Sequence, residues 1–126
     1  MYIADGKTNG PAFSWPDGKR IAVMVTFDYD AEFFRLSRPQ SKGTSICFTD
    51  FSRGQYGPHE GLARCLDMLD TMNIKSTFFV PGAVIETYRD TVEEIHRRGH
   101  ELACHGYRHE SDPELSRDEM IKILDK

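Results

Sequence analysis

The chain has 126 residues, of which 39% are hydrophobic and 29% charged, a composition typical of a soluble globular domain and not of a disordered chain. The formal net charge is -4 and no stretch concentrates Lys and Arg, so we expect neither a nucleic-acid-binding surface nor one for anionic membranes. A neutral or small partner fits this charge better.

The first 19 residues are predicted to form an irregular arm, because they are polar and rich in Gly and Pro. They contain no apolar signal-peptide core, and no apolar run in the chain approaches the roughly 20 residues that cross a bilayer. The three cysteines are an odd number without CxxC spacing, which fits a reducing compartment better than a secreted disulfide scaffold. These features favour a cytoplasmic protein.

A buried strand is predicted for the apolar run from Arg20 to Phe27. Asp28 and Asp30 follow where this strand opens into a loop, and in an extended backbone their side chains point the same way. One carboxylate could then hold a cation while the other takes a proton. Residues 28–58 contain scattered Gly, Pro and Ser, and we predict that they form a long active-site loop.

The end of this predicted loop contains SRGQYG, residues 52–57. Arg53 provides a planar, positively charged guanidinium group and Tyr56 an aromatic ring. The glycines at 54 and 57 allow the backbone to approach a ligand closely. Arg53 and Tyr56 are therefore candidate substrate-binding residues. An ordinary turn with an exposed arginine explains the same pattern equally well.

The rest of the chain alternates between predicted helices and strands. The helices are expected at 60–72, 84–98 and from 116 onward, where Ser116 and Glu119 form a capping-box pattern, and the strands at 76–80 and 100–104. This alternation predicts an α/β fold with a parallel sheet, whose right-handed crossovers place the carboxyl ends of all three strands at one edge.

The side chains that could bind a metal ion or accept a proton are expected at that edge. His105 and His109 follow the last strand with three residues between them, a spacing that lets two imidazoles bind one ion. With Asp30 they suit Zn²⁺, with Ni²⁺, Co²⁺ or Mn²⁺ as alternatives, and leave a coordination position for water. Asp28 is then the predicted general base, because a base must stay free to titrate. The reverse assignment of the two aspartates is also open.

Two motifs of this sequence resemble those of the polysaccharide deacetylase, or NodB-homology, family of carbohydrate esterases. The segment TFDYD, residues 26–30, is similar to the first family motif, and HGYRH, residues 105–109, to the second. TFFVPG at 77–82 and GHEL at 99–102 also fit. The resemblance implies a partial (β/α) barrel, a base at Asp28, and metal ligation by Asp30, His105 and His109.

Tyr29 separates the two aspartates, which are adjacent in most of the family. This DxD spacing, together with residues 52–57, resembles the subgroup of peptidoglycan deacetylase homologues, cyclic imide hydrolases and allantoinases. The resemblance therefore implies a metal-dependent hydrolase of non-peptide carbon–nitrogen bonds. Its substrate would be an acetylated sugar or peptidoglycan-like polymer, or alternatively a small cyclic amide or imide.

The resemblance covers about residues 14–126 but only the N-terminal part of the family's domain. The later motifs, with an arginine and a histidine that tune the base and act as acid, are absent, and Glu110 and Tyr107 are the remaining candidates for the acid. Three strands cannot close a barrel. We therefore expect either that the chain is a fragment or that a homo-oligomer or a second chain completes the barrel. An inactive or metal-binding subunit is a further alternative.

Overall fold

The computed structural model describes residues 16–36, 48–110 and 115–126. The strands are β1 (Thr26–Asp28), β2 (Thr77–Val80) and β3 (Glu101–Cys104). The helices are α1 (Phe33–Leu36), α2 (Phe48–Tyr56), α3 (Leu62–Thr71), α4 (Gly82–Thr87), α5 (Arg89–Arg97) and α6 (Arg117–Leu124), with a 3-10 turn at Pro16–Gly18 and a π-helical turn at Gly57–Gly61. No helix within these ranges has the length and apolar character needed to cross a membrane.

The three strands form one parallel sheet in the order β1-β2-β3, so the α/β fold predicted from the sequence is confirmed. Thr26 is aligned with Thr77, and Thr77 with Glu101. The polypeptide returns to the same end of the sheet through helices after β1 and β2, as parallel pairing requires. All three carboxyl ends consequently lie at one edge.

The core lies on one face of this sheet. Phe78 of β2 is 1% exposed and stacks on Phe27, with ring centroids 4.9 Å apart. Leu66 and Leu69 of α3 and Ile95 of α5 belong to the same buried cluster. Burying a side chain of this size contributes roughly 1.5 to 3 kcal/mol, so this face supplies much of the folding free energy.

The first strand is shorter than predicted. Residues 21–25 do not join the sheet as a strand, and Ile21, Val23 and Met24 are 77%, 82% and 87% exposed. The reason lies in the neighbouring strand, because β2 begins only at Thr77, opposite Thr26. The apolar residues before Thr26 extend beyond this partner, and apolar character alone does not make a strand.

The segment 28–58 is not a continuous loop, which corrects the prediction. In its described part it contains α1 and α2, while 37–47 and the first 15 residues of the predicted arm lie outside the described residues. A Cβ on Gly54 of α2 would lie 2.5 Å from the Cα of Glu32. The glycine is therefore required by close backbone packing, although glycine disfavours a helix in isolation.

The predicted helix at 84–98 is divided into α4 and α5 at Tyr88, whose φ of -124° and ψ of 43° are not helical. The Thr91 hydroxyl donates to the Tyr88 carbonyl at 2.7 Å, within the first turn of α5. The helix predicted from Ser116 is confirmed, because the Ser116 side chain accepts from the Glu119 N–H and the Glu119 carboxylate accepts in return. The capping-box pattern of Ser116 and Glu119 was therefore enough to predict where this helix begins.

His100 is almost completely buried at the start of β3, where its Nδ1 accepts a hydrogen bond from the Ser76 N–H at 3.2 Å. Burial lowers the pKa of this imidazole, the positive charges of Lys75 and Arg98 lower it further, and Asp70 opposes them. The unfolded chain therefore binds a proton at His100 more readily than the folded protein does. The contribution of His100 to folding stability is fully present above the ordinary pKa of 6.5 and is lost as the pH falls below it.

We expect His100→Asn to reduce this pH dependence, because asparagine offers an acceptor to the Ser76 N–H without titrating. The free energy of unfolding, measured with urea at pH 7.5 and pH 5, should fall less between the two pH values than in the parent protein. The difference cannot exceed about 1.4 kcal/mol per pH unit. Equal losses in both proteins would contradict a neutral His100, since the other four histidines are unchanged.

Candidate metal centre

The Asp30 carboxylate is positioned by the chain that leaves β1. The Tyr29 N–H donates to the Phe79 carbonyl at 2.8 Å, so the backbone stays against β2 up to residue 29. The Asp30 carbonyl then accepts from the Phe33 N–H at 3.0 Å, and Ala31 adopts a left-handed φ of 50°. The chain therefore turns sharply directly after Asp30, at the carboxyl edge of the sheet.

The two histidines lie on a tight turn after β3. Gly106 has a φ of 70° and His109 a φ of 60°, a region that non-glycine residues seldom adopt. The turn rests on the start of α4, where the Gly82 N–H donates to the Gly106 carbonyl at 3.0 Å and the Ala83 N–H to the Tyr107 carbonyl at 2.9 Å. These hydrogen bonds fix the turn on a helix that itself packs in the core.

Glu110 closes this histidine turn from the other side. Its carboxylate accepts hydrogen bonds from the backbone N–H groups of Tyr107 and Arg108, both at 2.9 Å. Burial alone would raise the pKa of Glu110, but these backbone hydrogen bonds outweigh it and place the pKa below its usual range. The two hydrogen bonds give Glu110 a role in holding the turn.

Three predicted ligands meet at the edge of the sheet. His105 Nε2 lies 3.4 Å from Asp30 Oδ1, and His109 Nε2 lies 3.8 Å from Asp30 Oδ2. One ligand atom from each of these residues falls within 4.8 Å of the others. The two imidazole rings stand nearly perpendicular, with centroids 4.8 Å apart, and Phe34 packs edge-on against His109.

The donor set fits a divalent metal ion. Asp30 Oδ1 and His105 Nε2 are buried and have no hydrogen-bond partner, although they lie close together. Buried polar atoms are seldom left unpaired, so the pair has the arrangement expected of atoms that converge on a third group. A tetrahedral ion with ligands at about 2.0 to 2.1 Å separates its ligand atoms by about 3.3 Å. The Asp30–His105 distance of 3.4 Å agrees with this spacing.

The electrostatics of Asp30 agree with a site that needs a cation. Burial raises the pKa of this carboxyl, the two histidines act in the opposite direction, and the negative charge of Asp28 raises it again. The two imidazoles therefore do not compensate for the loss of water around Asp30. A divalent cation would supply the missing positive charge.

Asp28 lies at the end of β1 and is exposed, unlike the three clustered residues. Its register partner in the sheet is Phe79, whose ring centroid lies 6.2 Å from that of His105. Residues aligned in a parallel sheet share a face, so Asp28 and the cluster lie on the face opposite to the core. The structure thus separates a solvent-accessible carboxylate, Asp28, from a partly buried one, Asp30.

The other predicted residues are not brought to this cluster by the contacts observed. The Arg53 guanidinium lies 3.7 Å from the Asp50 carboxylate on the same helix, and Tyr56 is 54% exposed. The Tyr107 hydroxyl donates to Glu86 at 2.8 Å. Substrate binding by Arg53 and Tyr56 stays a prediction.

Sequence reasoning missed two residues that shape the centre. Gly82 allows the histidine turn to pack on α4, since a Cβ there would lie 2.7 Å from the Tyr107 ring. Its position directly after a strand and a proline was an available signal. Phe34 borders His109, but it lies in the segment treated as loop, where no pattern distinguished it.

The family model described as polysaccharide deacetylase matches residues 16–126. A peptidoglycan deacetylase of Helicobacter pylori is 37% identical over 106 residues, which are 84% of this chain and 35% of that protein. A peptidoglycan deacetylase-like protein of Gibberella zeae is 34% identical over 110 residues, which are 86% of this chain and 32% of that protein. The chain thus spans about a third of the length of these curated relatives.

Two solved structures have the same arrangement of strands and helices. One, assigned as a polysaccharide deacetylase from Mycobacterium smegmatis, superposes with a TM-score of 0.79 at 41% identity, over 94% of this chain and 41% of that chain. The Puue allantoinase superposes with a TM-score of 0.71 at 21% identity, over 87% of this chain and 44% of its own, a likeness of fold alone. The partial barrel expected from the sequence agrees with both.

Proposed function

We propose that this chain, which belongs to the polysaccharide deacetylase family, carries the metal site and the base of a metal-dependent hydrolase that removes acetyl groups from an acetylated sugar or peptidoglycan-like substrate. The observation that carries this proposal is the convergence of Asp30, His105 and His109, with ligand atoms within 4.8 Å of one another. The relatives named as peptidoglycan deacetylases support the substrate class.

In this proposal Asp30, His105 and His109 hold the ion, for which Zn²⁺ is the first choice and Ni²⁺, Co²⁺ or Mn²⁺ also suit the nitrogen and oxygen donors. When bound, such an ion lowers the pKa of coordinated water and polarises the acyl oxygen. Asp28 accepts the proton of the attacking water, a role that its exposed position on the same sheet face permits.

The buried side of the centre supports the same division of roles. Asp30 is partly buried, with 17% of its side chain exposed, and its Oδ1 has no hydrogen-bond partner. A partly buried carboxylate such as Asp30 is suited to bind a cation, which keeps it ionised. A general base has to exchange protons with solvent and substrate, and the exposed carboxylate of Asp28 can do so.

The chain is proposed to form the N-terminal part of a larger catalytic unit. The described residues give a three-stranded sheet whose outer strands, β1 and β3, each pair on one side only, and the chain spans about a third of its curated relatives. Unpaired strand edges promote association. The remaining strands and the general acid would therefore come from outside these 126 residues, and a second copy or a second polypeptide is one possible source. A cytoplasmic location is part of the proposal, because Cys65 and Cys104 are free thiols.

Metal removal and restoration tests the proposed function. The protein, alone and mixed with any co-purifying chain, is treated with chelator, dialysed, and assayed for acetate release from N-acetylated glycan oligomers before and after addition of Zn²⁺ or Co²⁺. We expect activity only in the metal-restored samples. Turnover that survives complete metal removal would overturn the proposal.

The same samples separate the alternatives. Hydrolysis of a small cyclic imide without acetate release would favour the alternative function, a hydrolase of small cyclic amides or imides. The DxD spacing is the feature that suggests this alternative. Metal binding without turnover in any mixture would favour a silent metal-binding subunit. Light scattering on the active sample reports the assembly, and full turnover by a monomer of 126 residues would exclude the need for a second chain.

A further inference from the structure

Glu32 is a buried carboxylate two residues after Asp30. It is 5% exposed, and the Tyr88 hydroxyl donates to it from a position 3.0 Å from both carboxylate oxygens. Burying a carboxylate is costly unless hydrogen bonds replace its water. A glutamate at such a position therefore needs its partner, and Tyr88 provides it from the start of α5.

The residue on the other side of Asp30 is held by the same helix turn. The Tyr29 and Thr91 hydroxyl oxygens lie 2.8 Å apart, and the Thr91 hydroxyl donates to the Tyr88 carbonyl at 2.7 Å. Tyr29 and Glu32 thus attach the chain before and after Asp30 to residues 88 and 91. Two attachments so close to one side chain leave its backbone little freedom to rotate.

Packing restricts the segment further. Ala31 lies between Asp30 and Glu32 with a left-handed φ of 50°, and Gly54 of α2 approaches the Glu32 backbone so closely that a Cβ would lie 2.5 Å from its Cα. Glu32 therefore cannot shift toward α2. A rotation of the turn that carries Asp30 would also move the Glu32 carboxylate away from the Tyr88 hydroxyl.

We propose that Glu32 and Tyr88 are a positioning pair that directs the Asp30 carboxylate toward His105 and His109. The inference rests on the proposed metal function, since its consequence is read as metal affinity. Neither residue is a ligand in this proposal. They act through the backbone of residues 30–32, and they fix the orientation of the Asp30 carboxylate.

The test uses Tyr88→Phe, which deletes the hydroxyl and keeps the ring. We expect Co²⁺ binding, followed by the visible absorption of the bound ion, to weaken by about 10- to 100-fold, the effect usual for loss of a residue that orients a ligand. Hydrogen–deuterium exchange of the metal-free protein should rise in residues 29–34 and stay unchanged in β2. Glu32→Gln keeps an acceptor for the Tyr88 hydroxyl and should bind Co²⁺ with close to the original affinity.

Ile95→Ala is the matched control. Ile95 is fully buried toward the carboxyl end of α5, where its carbonyl accepts from the His100 N–H, so the substitution lowers stability but leaves the Tyr88–Glu32 hydrogen bonds intact. Its Co²⁺ affinity should not change at a temperature where circular dichroism shows all variants folded. Equal weakening in Tyr88→Phe and Ile95→Ala, or unchanged exchange in residues 29–34, would overturn the positioning role. If the parent protein binds no Co²⁺, the metal proposal fails and the exchange measurement alone decides whether the pair fixes this turn.

Discussion

Replacing His105 with alanine is expected to remove bound divalent metal from the protein almost completely. His105 Nε2 is buried, has no hydrogen-bond partner and lies 3.4 Å from Asp30, so it has the position of a ligand. Loss of a residue that only orients a ligand weakens metal affinity about 10- to 100-fold, and loss of a ligand should exceed that range. Elemental analysis of protein purified without chelator, followed by Zn²⁺ titration, measures both content and affinity.

His96→Ala is the control for this experiment, because His96 is an exposed histidine on α5 outside the cluster. Its metal content should equal that of the parent protein. Full metal occupancy in His105→Ala, or equal loss in the two variants, would show that the cluster is not the site. A thermal midpoint that rises on addition of Zn²⁺ to the parent protein but not to His105→Ala would give independent support.

Asp28→Asn and Asp30→Asn are expected to separate catalysis from metal binding. Asp28→Asn removes a proton acceptor but keeps its shape, so turnover of the active assembly should fall by roughly 10²- to 10⁴-fold while the metal stays bound. Asp30→Asn replaces a partly buried carboxylate by a neutral group next to two histidines, and it should lose both metal and turnover.

Metal content and turnover have to be measured on the same preparations. Equal metal loss in the two variants would show that both carboxylates are ligands, and the assignment of Asp28 as base would fail. Metal loss in Asp28→Asn alone would reverse the two roles. Thr26→Ser, two residues earlier on the same strand, serves as a control in which neither quantity should change appreciably.

The convergence of Asp30 with His105 and His109 could be predicted because it depends on few rules. Parallel strands place their carboxyl ends together, and both motifs directly follow strands that are apolar enough to recognise. The strand predicted at 76–80 and the one at 100–104 were correct to within a residue, since Asn73 and Gly99 with their positive φ values mark the turns before them. Local chemistry determined these features.

The features that could not be predicted depend on contacts between distant segments. Gly54 is a poor helix former, yet it lies within α2, where a glycine is needed because the backbone of Glu32 occupies the space where a side chain would lie. The break at Tyr88 likewise lies at a residue that is hydrogen-bonded to a distant segment, since its partner Glu32 lies 56 positions earlier in the sequence. A glutamate is usually exposed, so nothing in the sequence marked Glu32 as buried.

The three clustered residues come from segments that follow β1 and β3, the two outer strands of the sheet. Residues 30 and 105 are 75 positions apart, so an ion bound by both would cross-link the chain around a loop of that length. A covalent cross-link of this span lowers the entropy of the unfolded chain by an amount worth roughly 4 kcal/mol. An ion at this position would therefore tie together the ends of the sheet, and its removal by a chelator would lower the free energy of unfolding.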